Sequence, residues 1–232
     1  PIVLHDKALL MVTGGSTDTE PDITDVATMV FPFISATGTI AAVVKSVSNQ
    51  PLEFVGETRK RSEDAIIAYS FDKYMDAYKA RKGDITWPAL LPMVRTAVRA
   101  MDTVQKFVKE EKPGNKYELN QFVITGASKR GWTSWLTSAI DPRICAVMPI
   151  VIDVLNMPLQ IEHHYNSYGG KFSPALKDYV AMGIFDRLGT PEGDSLWKIV
   201  DPINYLDNLQ MPKLIANSTG DQFFLPDSAK FY

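Results

Sequence analysis

The stretch from Gln121 to Ile140 constrains this chain most. An apolar run, Gln-Phe-Val-Ile, leads into Thr-Gly-Ala-Ser-Lys-Arg-Gly over 125–131, and a helix-compatible segment follows over 132–140. A strand, a sharp glycine-framed turn with serine at its tip, and a helix make the layout of a nucleophile elbow, which strains and exposes a hydroxyl. The usual spacing is G-x-S-x-G. Gly126 and Ser128 fit it, Arg130 stands in the place of the second glycine, and Gly131 comes one residue later.

The flanking pattern tells what scaffold holds this turn. Residues 8–13 and 39–47 are apolar runs that read as buried strands, the first ending in Gly14-Gly15-Ser16. Residues 25–34 read as a helix that Pro32 ends or kinks. Ile67, Phe71, Tyr74 and Tyr78 form a helical stripe in 64–81, and Leu91, Val94, Val98, Met101 and Val108 form another in 88–111. Pro113-Gly114-Asn115 stops the second helix. Residues 144–152 are another continuous apolar run, 213–218 read as the last strand, and Asp227 leads a helix start. Strands apolar throughout, alternating with helices, predict an α/β fold: a mostly parallel sheet with helices on both faces.

Residues 153–205 break this rhythm with His163-His164, Gly169-Gly170, Pro174, Gly189, Pro191 and Gly193, and read as a helical lid. The expected division is 1–152 for the first part of the core, 153–205 for the lid and 206–232 for the continuation of the core. The chain opens on Pro-Ile-Val-Leu and closes on Lys-Phe-Tyr, so both ends are expected to be cut, with a further strand and helix beyond Tyr232.

Composition narrows the functional classes. The 232 residues carry a net charge of −3, which disfavours nucleic acid as a partner. Arg59-Lys60-Arg61 is followed by Glu63 and Asp64 and reads as a solvated loop or helix start. The single cysteine, Cys145, excludes an internal disulfide and a cysteine-rich metal site, and its apolar neighbours imply a buried, inert thiol. No stretch approaches a membrane span. There is no H-E-x-x-H, no G-x-x-x-x-G-K-[ST] and no G-x-G-x-x-G, so no cofactor is expected. Adjacent histidines on regular structure point apart, which argues against a metal at Glu162, His163 and His164.

Ser128 on its turn, Gly14-Gly15 after an earlier strand and Thr219-Gly220-Asp221 after a later one together resemble an α/β-hydrolase. More narrowly, Ile124 to Trp132, Asp141-Pro-Arg143, Val151-Ile-Asp153, Met211-Pro-Lys213 and Gly220-Asp-Gln-Phe-Phe224 resemble the PhoPQ-activated pathogenicity-related protein family, as do Trp87-Pro88 and Glu63-Asp-Ala65. The resemblance covers nearly the whole chain. It implies the α/β-hydrolase fold with a lid insertion. It also implies export to the periplasm or the outside, with a signal peptide that lies outside this chain. It implies little about substrate.

Within that resemblance, Ser128 would attack an acyl carbon and needs a base to take its proton. The order in this fold is serine, acid, histidine. Asp221 is the expected acid, which otherwise reads as a loop or capping residue, and Asp153 is the alternative acid. His5 precedes the first strand, and His163 and His164 fall between Ser128 and Asp221, against that order. The resemblance therefore implies a catalytic histidine beyond Tyr232, with a lid histidine as the substitute. Otherwise His163 and His164 read as polar lid surface that meets the substrate.

The expected oxyanion donors are the backbone N–H of Lys129 and the loop at Gly15 and Ser16; Gly14-Gly15 also reads as a plain tight turn. Lys129 and Arg130 oppose the dipole of the helix they begin. They are expected either to depress the serine pKa or bind an anionic substrate, or, for Arg130 first, to pair with a carboxylate beneath the turn. Trp132 and Trp135 read as packing. The expectation is a serine hydrolase acting through an acyl-enzyme on an ester or amide of a small molecule or peptide. The alternative is an exported protein of the same fold that acts by binding, in signalling or envelope defence. Oligomeric state is not legible in these residues.

Overall fold

The computed structural model describes residues 6–20, 22–80, 85–111 and 118–232. His5 and the expected helix stop at Pro113-Gly114-Asn115 lie outside them. Four strands form one parallel sheet: β1 (Lys7–Val12), β2 (Ile40–Val44), β5 (Gln121–Ala127) and β6 (Ile144–Ile150), in the order β2-β1-β5-β6. Parallel bridges from Val147 to Lys213 and from Ile150 to Ala216 extend the sheet past β6. The expected strand at 213–218 is therefore present as a short, lightly bridged segment. A two-stranded antiparallel hairpin, β3 (Leu52–Glu53) with β4 (Lys60–Arg61), stands apart from the main sheet.

β1 shows why the sheet is parallel and covered. Ala8, Leu9 and Leu10 are all buried, although successive strand residues point to opposite faces. Both faces must therefore be packed, and α-helical crossovers supply that packing in parallel sheets. Helix α1 (Ile23–Thr37) links β1 to β2, with the Asp22 side chain accepting from Thr24 N at 2.7 Å as its N-cap. Pro32 lies inside α1 and does not end it. Most of α1 is exposed, so water can take the carbonyl that the missing proline N–H leaves free.

Helices α2 (Asp64–Lys79), α3 (Leu90–Glu111) and α4 (Lys129–Ile140) complete the layers. In α2 the predicted stripe holds at Ile67, Phe71 and Tyr74, while Tyr78 is exposed. In α3 the buried face runs through Leu90, Met93, Val94, Ala97 and Met101. The region after β6 is ordered helix: α5 (Met157–Ser167), α6 (Lys177–Ala181) and α7 (Pro191–Val200), with 3-10 turns between them. α6 and α7 pack on α2. Phe71 of α2 meets Trp132 of α4 edge-on at 5.8 Å and Trp197 of α7 edge-on at 6.0 Å. Such aromatic pairs contribute about 0.5–1.5 kcal/mol each beyond burial. Trp135 is also fully buried, and both tryptophans pack as expected. No helix among the described residues is long and apolar enough to cross a membrane.

The chain moves from β1 outward to β2, then returns to place β5 on the other side of β1. The carboxyl ends of β1 and β5 thus flank a topological switch point, where open α/β sheets form their ligand crevices. Gly14 follows one of these ends and Ser128 the other.

Candidate active site

Ser128 sits between β5 and α4 with φ 53° and ψ −132°. A serine held there stores strain on the order of 1–3 kcal/mol and persists only where its surroundings over-determine it. They do so from both sides. Its N–H donates to Ile150 O at 2.8 Å, and its carbonyl accepts from Trp132 N at 3.0 Å.

The glycines explain how strand and helix approach so closely. A Cβ on Gly126 would lie 2.6 Å from Arg130 O and 2.9 Å from Val12 O. A Cβ on Gly131 would lie 2.7 Å from Gly126 O and would collide with Ile152. Gly131, one residue later than the usual pattern, therefore takes the close-packing position against the strand. That frees position 130 for a long side chain.

Arg130 uses this freedom to reach a carboxylate beneath the turn. Its Nη1 lies 2.5 Å from Glu63 Oε2 and its Nη2 3.1 Å from Glu63 Oε1, and its Nε donates to Val47 O. The guanidinium lies over Gly14, where a Cβ would be 2.8 Å from Cζ. Lys129 converges on the same place, its Nζ 2.6 Å from Glu63 Oε2 and 3.2 Å from Asp64 Oδ2. Gln50 completes the cluster, donating to Glu63 Oε1 and accepting from Glu63 N. Burial pushes the Glu63 pKa upward, but Arg130, Lys129 and Gln50 outweigh it and hold the carboxyl at about 2. Two cations thus meet two carboxylates, and the helix start carries no excess positive charge.

Beside the turn lies a cavity of about 670 Å³, its mouth included. Ser128, Lys129 and Trp132 of the turn line it, facing Met157, Gln160, Ile161 and His164 of α5 and Phe223, Phe224 and Leu225 of the loop after the last strand segment. Gly15 and Ser16 are not among its lining residues. They lie next to β2, with Gly14 O accepting from Ser46 N at 3.2 Å.

The two histidines of α5 part company. His163 faces outward, with Nε2 at 2.8 Å from Asp227 Oδ1 and 3.3 Å from Lys230 Nζ. His164 is buried in the cavity wall and stacked on Tyr168 at 4.5 Å. Its Nε2 accepts from Ser173 N at 3.2 Å, so a neutral ring carries its proton on Nδ1. Nδ1 is buried without a well-aligned partner among the described residues. Burial pushes the His164 pKa down, against a smaller upward pull from the Phe223 backbone. In this arrangement the Nε2 lone pair is taken by the Ser173 N–H and Nδ1 carries the proton, so neither nitrogen offers a lone pair to the Ser128 hydroxyl.

Asp221 follows the last strand segment and organises the loop that walls the cavity. Its Oδ1 accepts from Phe223 N at 2.7 Å and Phe224 N at 3.2 Å. Asp153 follows β6 and is 1% exposed. Its Oδ2 accepts from Asn217 at 3.1 Å, while its Oδ1 is buried without a partner among the described residues. Burial raises the Asp153 pKa, against the Tyr232 hydroxyl and the Asn217 amide, which pull it down. Cys145 is half-buried, and burial raises its thiol pKa as well. Among the described residues no group of three or more histidine, cysteine or acidic side chains could hold a metal ion.

Sequence reasoning missed the anchor, Glu63 and Asp64, and most of the cavity wall, including Tyr179 and Trp197. Glu63-Asp64 followed a basic triplet and read as solvated; the only signal was that two unexplained cations at the turn required carboxylates somewhere.

The strand order, the switch-point crevice and the strained serine between strand and helix define an α/β-hydrolase fold. Residues 2–232 match the PhoPQ-activated pathogenicity-related protein family, and the chain belongs to it. It is 39% identical over 197 residues to the autocrine proliferation repressor protein A of Dictyostelium discoideum, a match that takes in 85% of this chain and 38% of that protein. The chain therefore spans well under half the length of this relative. Among solved structures it is similar to an esterase of Pyrococcus furiosus, with TM-score 0.44 and 12% identity over 97% of this chain and 66% of that one. It is also similar to acetyl xylan esterase 1 of Thermoanaerobacterium, with TM-score 0.38 and 14% identity over 96% and 72% of the two chains.

Proposed function

We propose that this protein is a serine hydrolase that cleaves an ester or amide through an acyl-enzyme on Ser128. The observation that carries the reading is the backbone of Ser128: a strained, positive-φ serine between β5 and α4, on the wall of an apolar cavity with an open mouth. Strain of this kind in a non-glycine residue concentrates at functional sites. The Lys129 N–H, first in the helix after the nucleophile, is the proposed oxyanion donor, with Gly15 and Ser16 as the proposed second source.

Asp221 is the proposed acid. It follows the last strand segment, as the serine–acid–histidine order requires, and one of its oxygens is free of the loop's hydrogen bonds. Asp153, which follows β6 with Oδ2 accepting from Asn217, is the alternative acid. The proposed base is a histidine C-terminal to Tyr232, since His164 has no lone pair to spare and His163 faces away from the cavity. Residues 153–205 are proposed as the lid that excludes water from the reacting ester. Hydrolysis of p-nitrophenyl esters by the full-length protein, abolished in Ser128→Ala with the fold retained, is the expected result. Equal turnover by the variant would remove Ser128 from the mechanism.

A second reading follows from the named relative. A protein called a proliferation repressor favours action by binding, with the pocket engaged in signalling and no turnover. Export, expected from the family resemblance, would suit either reading.

A further inference from the structure

We infer that the cavity beside Ser128 is an acyl pocket for uncharged, apolar acyl groups longer than acetyl. This rests on the hydrolase reading above and adds the substrate class.

Four polar side chains of the wall already have partners inside the protein; His164 adds only one neutral donor, its buried Nδ1 without a partner among the described residues. Lys129 Nζ is held by Glu63 at 2.6 Å and Asp64 at 3.2 Å. Tyr179 donates its hydroxyl to Asp64 Oδ1 at 3.0 Å. Gln160 donates to Leu155 O at 3.1 Å and Ser228 O at 3.3 Å, and Trp132 donates to Val200 O at 2.5 Å. None of these is left to replace the water that a charged chain would lose on burial. Burying an unpaired charge is costly enough to exclude it.

The sign of the local charge points the same way. The one carboxylate on the wall, Asp64, is matched by Lys129 on the same wall, so neither sign is left over to attract a charged chain. The expectation that Lys129 selects an anionic substrate therefore gives way to a neutral pocket.

What remains is aromatic and aliphatic surface: Ile152, Met157 and Ile161 on one part of the wall, Phe185, Trp197 and Phe224 on another. The wall runs from Ser128 and Ile152 at the turn to Phe185 and Trp197 of the region after β6, so apolar surface continues beyond the serine for a chain longer than acetyl to cover. Each buried methylene should add about fourfold to kcat/KM.

The test uses p-nitrophenyl acetate, butyrate and hexanoate with the full-length protein, together with p-nitrophenyl hemisuccinate, the charged counterpart of the butyrate. The expected result is a rise in kcat/KM of about 10-fold or more from acetate to butyrate, with hemisuccinate about 10-fold or more below butyrate. Phe224→Asp is expected to narrow the butyrate-to-acetate ratio. A preference for acetate, or hemisuccinate turned over as well as butyrate, would overturn the inference. Binding of N-phenyl-1-naphthylamine to Ser128→Ala, followed by fluorescence in protein shown to be folded, tests the cavity without turnover. Saturable binding displaced by hexanamide, with no ester hydrolysed by the wild type, would sink the hydrolase reading and leave the apolar pocket standing. Absence of dye binding would sink the pocket.

Discussion

Glu63 repeats at the start of α2 the backbone that Ser128 adopts at the start of α4: φ 52° and ψ −128° against φ 53° and ψ −132°. Two strained helix starts are thus tied to each other through Arg130 and Lys129. The tie depends on ionised Glu63, whose pKa is depressed from 4.5 to about 2. A depressed carboxylate contributes stability above its unfolded pKa and loses it as pH falls through the folded value. Wild type should therefore lose stability more steeply than Glu63→Gln between pH 4.5 and about 2, as thermal unfolding across that window would show. The Glu63 side chain is 44% exposed, so salt should weaken the difference. Parallel slopes for the two proteins would contradict the tie. Gly131 makes a separate, steric claim. Gly131→Ala pushes a Cβ against Gly126 O and Ile152, where backbone cannot yield. It should cost about 1–3 kcal/mol in denaturant unfolding; a neutral variant would deny Gly131 its packing role.

The attachment of the region after β6 is decided by elements. Asp201, 1% exposed, accepts from Asn156 N at 3.1 Å, Met157 N at 2.7 Å and Ile203 N at 2.9 Å. One carboxylate thus caps α5 and the turn at Pro202–Tyr205. Asp201→Ala should cost about 2 kcal/mol, at the upper end for a lost cap, and should raise amide exchange at the start of α5. Unchanged protection there would mean that α5 is held by packing alone. The core strands were legible because parallel, doubly covered strands need unbroken apolar runs, and β1, β5 and β6 have them. The serine turn was legible because its glycines and its serine are adjacent in sequence. Glu63 was not, because its partner Arg130 lies 67 residues away and no local pattern encodes that distance. The β3–β4 hairpin was missed because strands of two residues carry no periodicity. The region after β6 was legible as a helical insertion but not as separate helices, because its glycines and prolines punctuate short ones.

At the scale of the whole molecule, the sheet brings the carboxyl ends of β1 and β5 together, the strained serine sits at that junction, and residues of α5 to α7 and of the loop 221–225 line the apolar cavity beside it. The elbow cations, which the sequence left open as substrate-binding charges or, for Arg130 first, as partners of a carboxylate beneath the turn, are the anchor that fixes the turn against α2. The central claim is that Ser128 is an activated nucleophile. The most direct measurement is labelling of the full-length protein with a fluorophosphonate probe, with the modified peptide mapped by mass spectrometry. The account predicts a single phosphonylated site at Ser128, absent in Ser128→Ala. No labelling under conditions that label a control serine hydrolase would contradict it and leave the binding reading in its place.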